Sequence, residues 1–198
     1  MPFDANSLLP ICVFAKPPVP GKVKTRLIPK LGATGAAALA SSMLRAVWQT
    51  VTSCPGVRPV LAAAEPGDFG IDLTGRDVWL QGDGDLGMRI ERILQRGLQG
   101  AAAAVAIGAD TPYLNCTQIQ AAMEALEDHD AVIGPCEDGG FYLLALRRCP
   151  SGLLQDLPWS SRDTAQVTRH RLEENGFSIA TIETLFDVDT LEDLARIG

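Results

Sequence analysis

Apolar runs of strand length alternate along the chain with segments of helical period, and that alternation leaves few architectures open. Leu8-Leu-Pro-Ile-Cys-Val-Phe14 is continuously apolar, as a strand covered on both faces must be. Ala36 to Val51 is alanine-rich, with Leu39, Met43, Val47 and Val51 four apart on one helical face. Val57 to Ala63 and Val78 to Leu80 read as strands, and Glu65 to Arg76, broken by Pro66, Gly67, Gly70 and Gly75, as a loop. Leu86, Ile90, Ile93, Leu94 and Leu98 mark a second helix with Arg89, Glu91, Arg92 and Arg96 on its wet side. The same pattern predicts a strand over 103–107, a helix through Ile119, Ala122, Met123 and Leu126, and strands over 130–134 and 141–146. It predicts a further helix from near Ser161 to Glu174 stopped by Gly176, then a strand over 177–182. A last helix is expected from Thr190, with Asp193 as its capping partner. Strands alternating with helices imply an α/β sheet, mainly parallel. With no internal repeat and no linker, residues 1–198 are read as a single domain.

At 46% hydrophobic residues, the chain has material for a real core and does not read as disordered. No apolar run reaches the length of a membrane span, and Leu8 to Phe14 lacks the basic residues that precede a signal peptide's apolar stretch. The five cysteines, Cys12, Cys54, Cys116, Cys136 and Cys149, include no CxxC pair. They are expected to be reduced thiols of a cytoplasmic protein, neither a disulfide set nor a zinc site. His129 and His170 join no Ser-His-Asp or Cys-His arrangement and are expected at the surface.

Charge is unevenly spread. The net charge is −7, yet no acid occurs between Asp4 and Glu65: residues 1–64 carry seven Lys/Arg against one Asp, and residues 65–198 ten against twenty-three. An acidic chain with sparse aromatics is a poor nucleic-acid binder. A local cationic segment opposite scattered carboxylates suits a small phosphorylated ligand and a divalent ion. In an open α/β sheet, ligands bind outside the carboxyl ends of the strands. The loop leaving the first strand, Ala15-Lys-Pro-Pro-Val-Pro-Gly-Lys-Val-Lys-Thr-Arg-Leu27, places Lys16, Lys22, Lys24 and Arg26 there, with Lys30 close behind. Gly21 lets backbone approach a ligand, the prolines stiffen the loop, and Arg26 can grip phosphate oxygens in a bidentate way. The segment is not a Walker A loop, and Gly32-Ala-Thr-Gly35 is explained better by helix entry than as a dinucleotide fingerprint.

Three acidic positions stand at other strand ends. Asp110, in Gly-Ala-Asp-Thr-Pro, can offer a hard oxygen to Mg²⁺ or Mn²⁺, although an Asx-turn is its local alternative. In Phe186-Asp-Val-Asp-Thr190, alternation puts Asp187 and Asp189 on one side, where they could face a cation together. Asp189 also suits a helix N-terminus for purely local reasons. Glu137-Asp138-Gly139-Gly140 sets two acids on a tight turn; it reads as a general base or acceptor-binding group, or as turn chemistry alone.

Taken in order, FAKPPVPGKVKTRL, QGDGDLGMR, GADTPYL, GPCEDGGFYLLAL and FDVDTLEDL resemble a bacterial glycosyltransferase A family of unknown function, within the nucleotide-diphospho-sugar transferase superfamily. The resemblance spans roughly residues 9 to 196. It implies a GT-A fold, a Rossmann-like α/β/α sandwich with a mixed, mainly parallel sheet. By similarity to related nucleotidyltransferases, it implies phosphate contacts from Gly21, Lys22, Thr25 and Arg26, with Lys30 in the place of a later lysine. It also implies base recognition near Gln81 and Leu86-Gly87, and metal ligation by Asp110 and Asp189. The first loop lacks the LxAGGxGxRM form, and Asp110 is not part of a DxD. The function expected is therefore a metal-dependent transferase for a nucleotide or nucleotide-sugar, most simply a glycosyltransferase. Asp138 or Glu137 would serve the unknown acceptor. Nucleotidyl transfer with release of pyrophosphate is the first alternative, and a non-catalytic nucleotide-binding regulator the second. No nucleic acid and no membrane is expected as a partner, and a homodimer is the oligomeric state to test.

Overall fold

The computed structural model describes residues 8–189 together with Asp193 and Arg196. Its strands are β1 (Leu9–Ala15), β2 (Val57–Ala63), β3 (Asp77–Leu80), β4 (Ala104–Gly108), β5 (Ala131–Pro135), β6 (Phe141–Leu146) and β7 (Ile179–Thr181). They form one sheet in the order β3-β2-β1-β4-β6-β5-β7. β6 runs antiparallel to β4 and β5, while the remaining pairs are parallel, so the sheet is mixed and mainly parallel as expected.

Strand alternation explains the layers. Leu9, Ile11, Val13 and Ala15 of β1 face the core beneath α1 (Ile28–Ser53) and α3 (Cys116–Asp128). Cys12 points the other way, toward Ile93 of α2 (Leu86–Leu98). α4 (Thr164–Glu174) covers the same side further along, where Leu172 packs with Ile133, Leu144 and Leu146. Because both faces are covered, β1 reads as an unbroken apolar run and not as a polar alternation. The helix starts follow local chemistry. The Asp85 carboxylate accepts from the Met88 amide at 2.9 Å, and Asn115 caps α3 by accepting from Thr117 at 2.8 Å.

Several expectations need correction. α1 begins eight residues earlier than its apolar spacing suggested and bends at Gly32, whose φ of 68° and ψ of 167° are not helical. By length and composition the helical stretch from Thr25 to Ser53 could cross a membrane, against the expectation from apolar runs alone. Its Leu44, Val47, Trp48 and Val51 lie in the core, as in a core helix of a sheet protein. Glu91, placed on the wet side of α2, is buried and accepts hydrogen bonds from the Gly152 and Leu154 amides. Cys54 and Cys116, expected as reduced thiols, form a disulfide with 5.7 Å between their Cα atoms. The pairing was hidden because the two cysteines are 62 residues apart and meet only when the end of α1 packs on the start of α3. The expected start of the last helix, Thr190, lies outside the described residues; Asp193 accepts from the Asp189 amide at 3.1 Å.

Candidate functional site

The parallel strands end together. Ala15 lies opposite Ala63, Phe14 opposite Gly108, and Leu80 opposite Ala63, so the segments leaving β1 to β4 emerge at one edge of the sheet. They enclose a cleft of about 680 Å³. Its lining includes Lys16, Lys22, Lys24, Thr25 and Arg26 of the basic loop, Gln81 and Arg89, and Asp110, Ser160 and Asp189. Residues far apart in the chain thus converge where an open α/β sheet binds its ligands.

The basic loop is held by its own backbone. Lys22 donates its amide to the Val19 carbonyl at 3.0 Å, and Gly21 takes a φ of 84° that a side chain would resist. Lys24 has φ 45° and ψ 44°, left-handed for a residue with a Cβ. Its side chain, only 6% exposed, is directed into the cleft, with the ammonium 3.0 Å from Asp110 Oδ1 and 3.2 Å from Asp189 Oδ1. Burial works against that charge, but Asp110 and Asp189 outweigh it and raise the Lys24 pKa above the ordinary lysine value. Arg26 Nη1 lies 2.8 Å from Asp189 Oδ2, and its exposed side chain leaves its other donors to solvent or ligand.

The final extended segment is stitched to the sheet and to Asp110. Leu185 donates to the Pro135 carbonyl, Glu137 to the Leu185 carbonyl, and Val188 to the Asp110 carbonyl. Asp187 and Asp189, expected to face a cation together, take different partners. Asp189 joins Lys24 and Arg26, whereas Asp187 joins Cys136 and Asp138, the three offering ligand atoms within 4.8 Å of one another. Burial, then the neighbouring Asp138 charge, pushes the Asp187 carboxyl up to about 6.

The Glu137–Gly140 turn splits its two acids. Asp138 accepts from the Gly140 amide at 2.8 Å, a contact that belongs to turn chemistry. Glu137 is held by Arg196 through two hydrogen bonds of 2.6 and 3.1 Å. Those bonds keep its carboxyl below the usual glutamate range, so it makes a weak base. Asp138 is the turn's acid that groups with Asp187 and Cys136.

Six expected residues do not line the cleft: Gly21 shapes the loop behind it, Lys30 is exposed on the first turn of α1, Gly87 is buried in α2, and Glu137, Asp138 and Asp187 belong to the Glu137–Gly140 turn and the final extended segment outside its lining. A Cβ on Gly87 would lie 2.0 Å from the Leu154 carbonyl oxygen, so this glycine serves helix packing. Sequence reasoning missed Arg89, Arg92 and Ser160. Arg89 bonds the Gly84 carbonyl at 2.9 Å and lines the cleft, and Arg92 clasps the carbonyls of Gln81 and Asp83. The one available signal for Ser160 was indirect, a polar residue in a loop just before a helix; its φ of 60° appears only in the structure.

The fold defines the class of architecture: the α/β fold shared by nucleotide-diphospho-sugar transferases and nucleotidyltransferases. The chain belongs to the family described as uncharacterized protein conserved in bacteria (DUF2064), which it matches over residues 44–161. A solved protein from Desulfovibrio desulfuricans G20, provisionally described as a nucleotide-diphospho-sugar transferase, is 29% identical. It superposes with a TM-score of 0.86 over 96% of this chain and 86% of its own. CMP:2-keto-3-deoxy-manno-octonic acid synthetase, solved with CTP, is 16% identical with a TM-score of 0.64, covering 96% of this chain and 97% of that one. A Mycobacterium tuberculosis H37Rv protein solved with manganese is also 16% identical, with a TM-score of 0.54 and coverage of 97% and 98%. At that level of identity, these two show likeness of fold alone. No curated protein matches the chain.

Proposed function

We propose that this protein is a metal-dependent transferase that binds a nucleotide or nucleotide-sugar in the cleft and transfers the glycosyl group to an acceptor. The observation that carries the reading is the convergence of Asp110 and Asp189 on a single cation, the Lys24 ammonium, beneath a wall of further cations. Two hard carboxylate oxygens aimed at one positive point suit Mg²⁺ or Mn²⁺, and Lys24 acts there as a stand-in ion. Bound by Asp110 and Asp189, such an ion would neutralise charge on a departing diphosphate. Lys16, Lys22 and Arg26 share that charge, Arg26 through paired N–H donors and the lysines as point charges. Gln81 and Arg89 also line the cleft and are assigned to the nucleoside. Asp138 is assigned to the acceptor, whose hydroxyl it would position or deprotonate, while Glu137 orders the turn through Arg196.

Nucleotidyl transfer is the second reading, favoured by the density of cations available for a triphosphate and by the fold shared with the CTP-bound synthetase. Nucleotide binding titrated with and without Mn²⁺, in wild type and Asp110→Ala, tests the site. Mn²⁺ should tighten binding in wild type and do little in the variant; equal binding by both proteins in chelator ends the metal-dependent reading. Product analysis separates the two reactions, since glycosyl transfer releases nucleoside diphosphate and nucleotidyl transfer releases pyrophosphate.

A further inference from the structure

We propose that Lys24 is a tethered cation that holds Asp110 and Asp189 together while no metal is bound and yields its place when a divalent ion enters, turning its ammonium toward the ligand's phosphates. The inference rests on the metal reading above and gives Lys24, so far one member of the cationic loop, a role of its own. Three observations carry it. The Lys24 ammonium touches one oxygen of each carboxylate, at 3.0 and 3.2 Å, in the space where a shared ion would have to sit. The two acids are partly open to solvent, with side chains 55% and 39% exposed, whereas the lysine that joins them is almost fully enclosed. The backbone at Lys24 is left-handed, a conformation that a residue with a Cβ keeps only when its surroundings demand it.

The placement has a physical logic. Two facing carboxylates without a cation repel each other, and the tethered ammonium removes that repulsion without leaving the chain. A divalent ion and an ammonium cannot both occupy one point between the same two oxygens, so the two compete. Lys24 leaves the carboxylates at a cost unless phosphate oxygens receive it. The walls of the same cleft, Lys16, Lys22 and Arg26, are where such oxygens would lie. Metal and anion should therefore bind with positive coupling, each favouring the other. Arg26 cannot serve in the same way, because its guanidinium reaches only Asp189.

The test is Mn²⁺ binding, followed by the electron paramagnetic resonance of free Mn²⁺, in wild type, Lys24→Met and Lys24→Gln. Each protein is measured with and without inorganic phosphate against protein-free controls. Circular dichroism verifies the fold, and the polar Gln variant covers the case in which Met disturbs the cleft. Both variants should bind Mn²⁺ alone about tenfold or more tightly than wild type, the effect of removing a competing charge worth about 1.4 kcal/mol. Phosphate should tighten Mn²⁺ binding in wild type and clearly less in the variants. Equal Mn²⁺ affinity in all three proteins overturns the role of Lys24 and leaves the metal reading standing. Weaker binding in the variants also overturns it, since Lys24 would then shape the site for the ion. No Mn²⁺ binding by any of the three removes the metal reading, and this inference with it.

Discussion

Arg26 shows how much a single side chain can carry at this site. It is exposed, it reaches Asp189 at 2.8 Å, and it retains donors for a ligand. Replacing it leaves Asp189 paired with Lys24, so the fold should survive. Arg26→Ala should weaken nucleotide binding by about 1.5–3 kcal/mol, the range for hydrogen bonds to charged groups. Isothermal titration in saturating Mn²⁺ reads this directly, and an unchanged affinity in a folded variant removes Arg26 from the phosphate wall. The cationic character of this residue and its neighbours was legible in the chain because no acid interrupts residues 5–64. The paired state of Lys24 was not, because its partners lie 86 and 165 positions away. Glu137 is the reverse case. Its residue type suggested a base, but the contact with Arg196 neutralises it, and that contact spans 59 positions.

The elements were read more completely than their contacts. Apolar spacing located α2 from Leu86 to Leu98 and placed β2 and β6 at their observed limits, because strand and helix periods are local properties. What each element leans on is not local. Glu91 sits among charged neighbours on α2 and looked solvated, yet it accepts the amides of Gly152 and Leu154. Gly87, one turn earlier, was implied by the resemblance to lie near a nucleotide base, yet it is the point where α2 touches the Leu154 carbonyl. Gly87→Ala should therefore destabilise the protein. Its Cβ would lie 2.0 Å from that oxygen, and overpacking of this kind costs about 1–3 kcal/mol. For a chain of this size that is a fall in Tm of roughly 2–12 °C by calorimetry. An unchanged Tm would mean that α2 is not seated on Leu154.

The whole molecule joins two halves of opposite charge. The basic loop comes from the first segment, while Asp110 and Asp189 come from the acidic remainder, and the parallel sheet brings them to one edge. The Cys54–Cys116 disulfide ties the end of α1 to the start of α3, just beyond the loop that carries Asp110. It closes 62 residues of chain, for which loop entropy suggests about 4 kcal/mol of stabilisation. The double variant Cys54→Ser/Cys116→Ser should lose about 2–4 kcal/mol in urea unfolding. Equal stability of the variant and the untreated wild type would show that the bond does not form in solution.

Taken alone, the sequence determined the α/β class and the mainly parallel sheet. Those follow from apolar periodicity, which operates over a few residues at a time. Tertiary structure alone decided which charges meet. It set Lys24 between Asp110 and Asp189, parted Asp187 from Asp189, and joined Cys54 to Cys116. Electrostatic and covalent partners are chosen by distance in space, to the ångström, and separation along the chain carries almost no information about that distance once the sheet has folded.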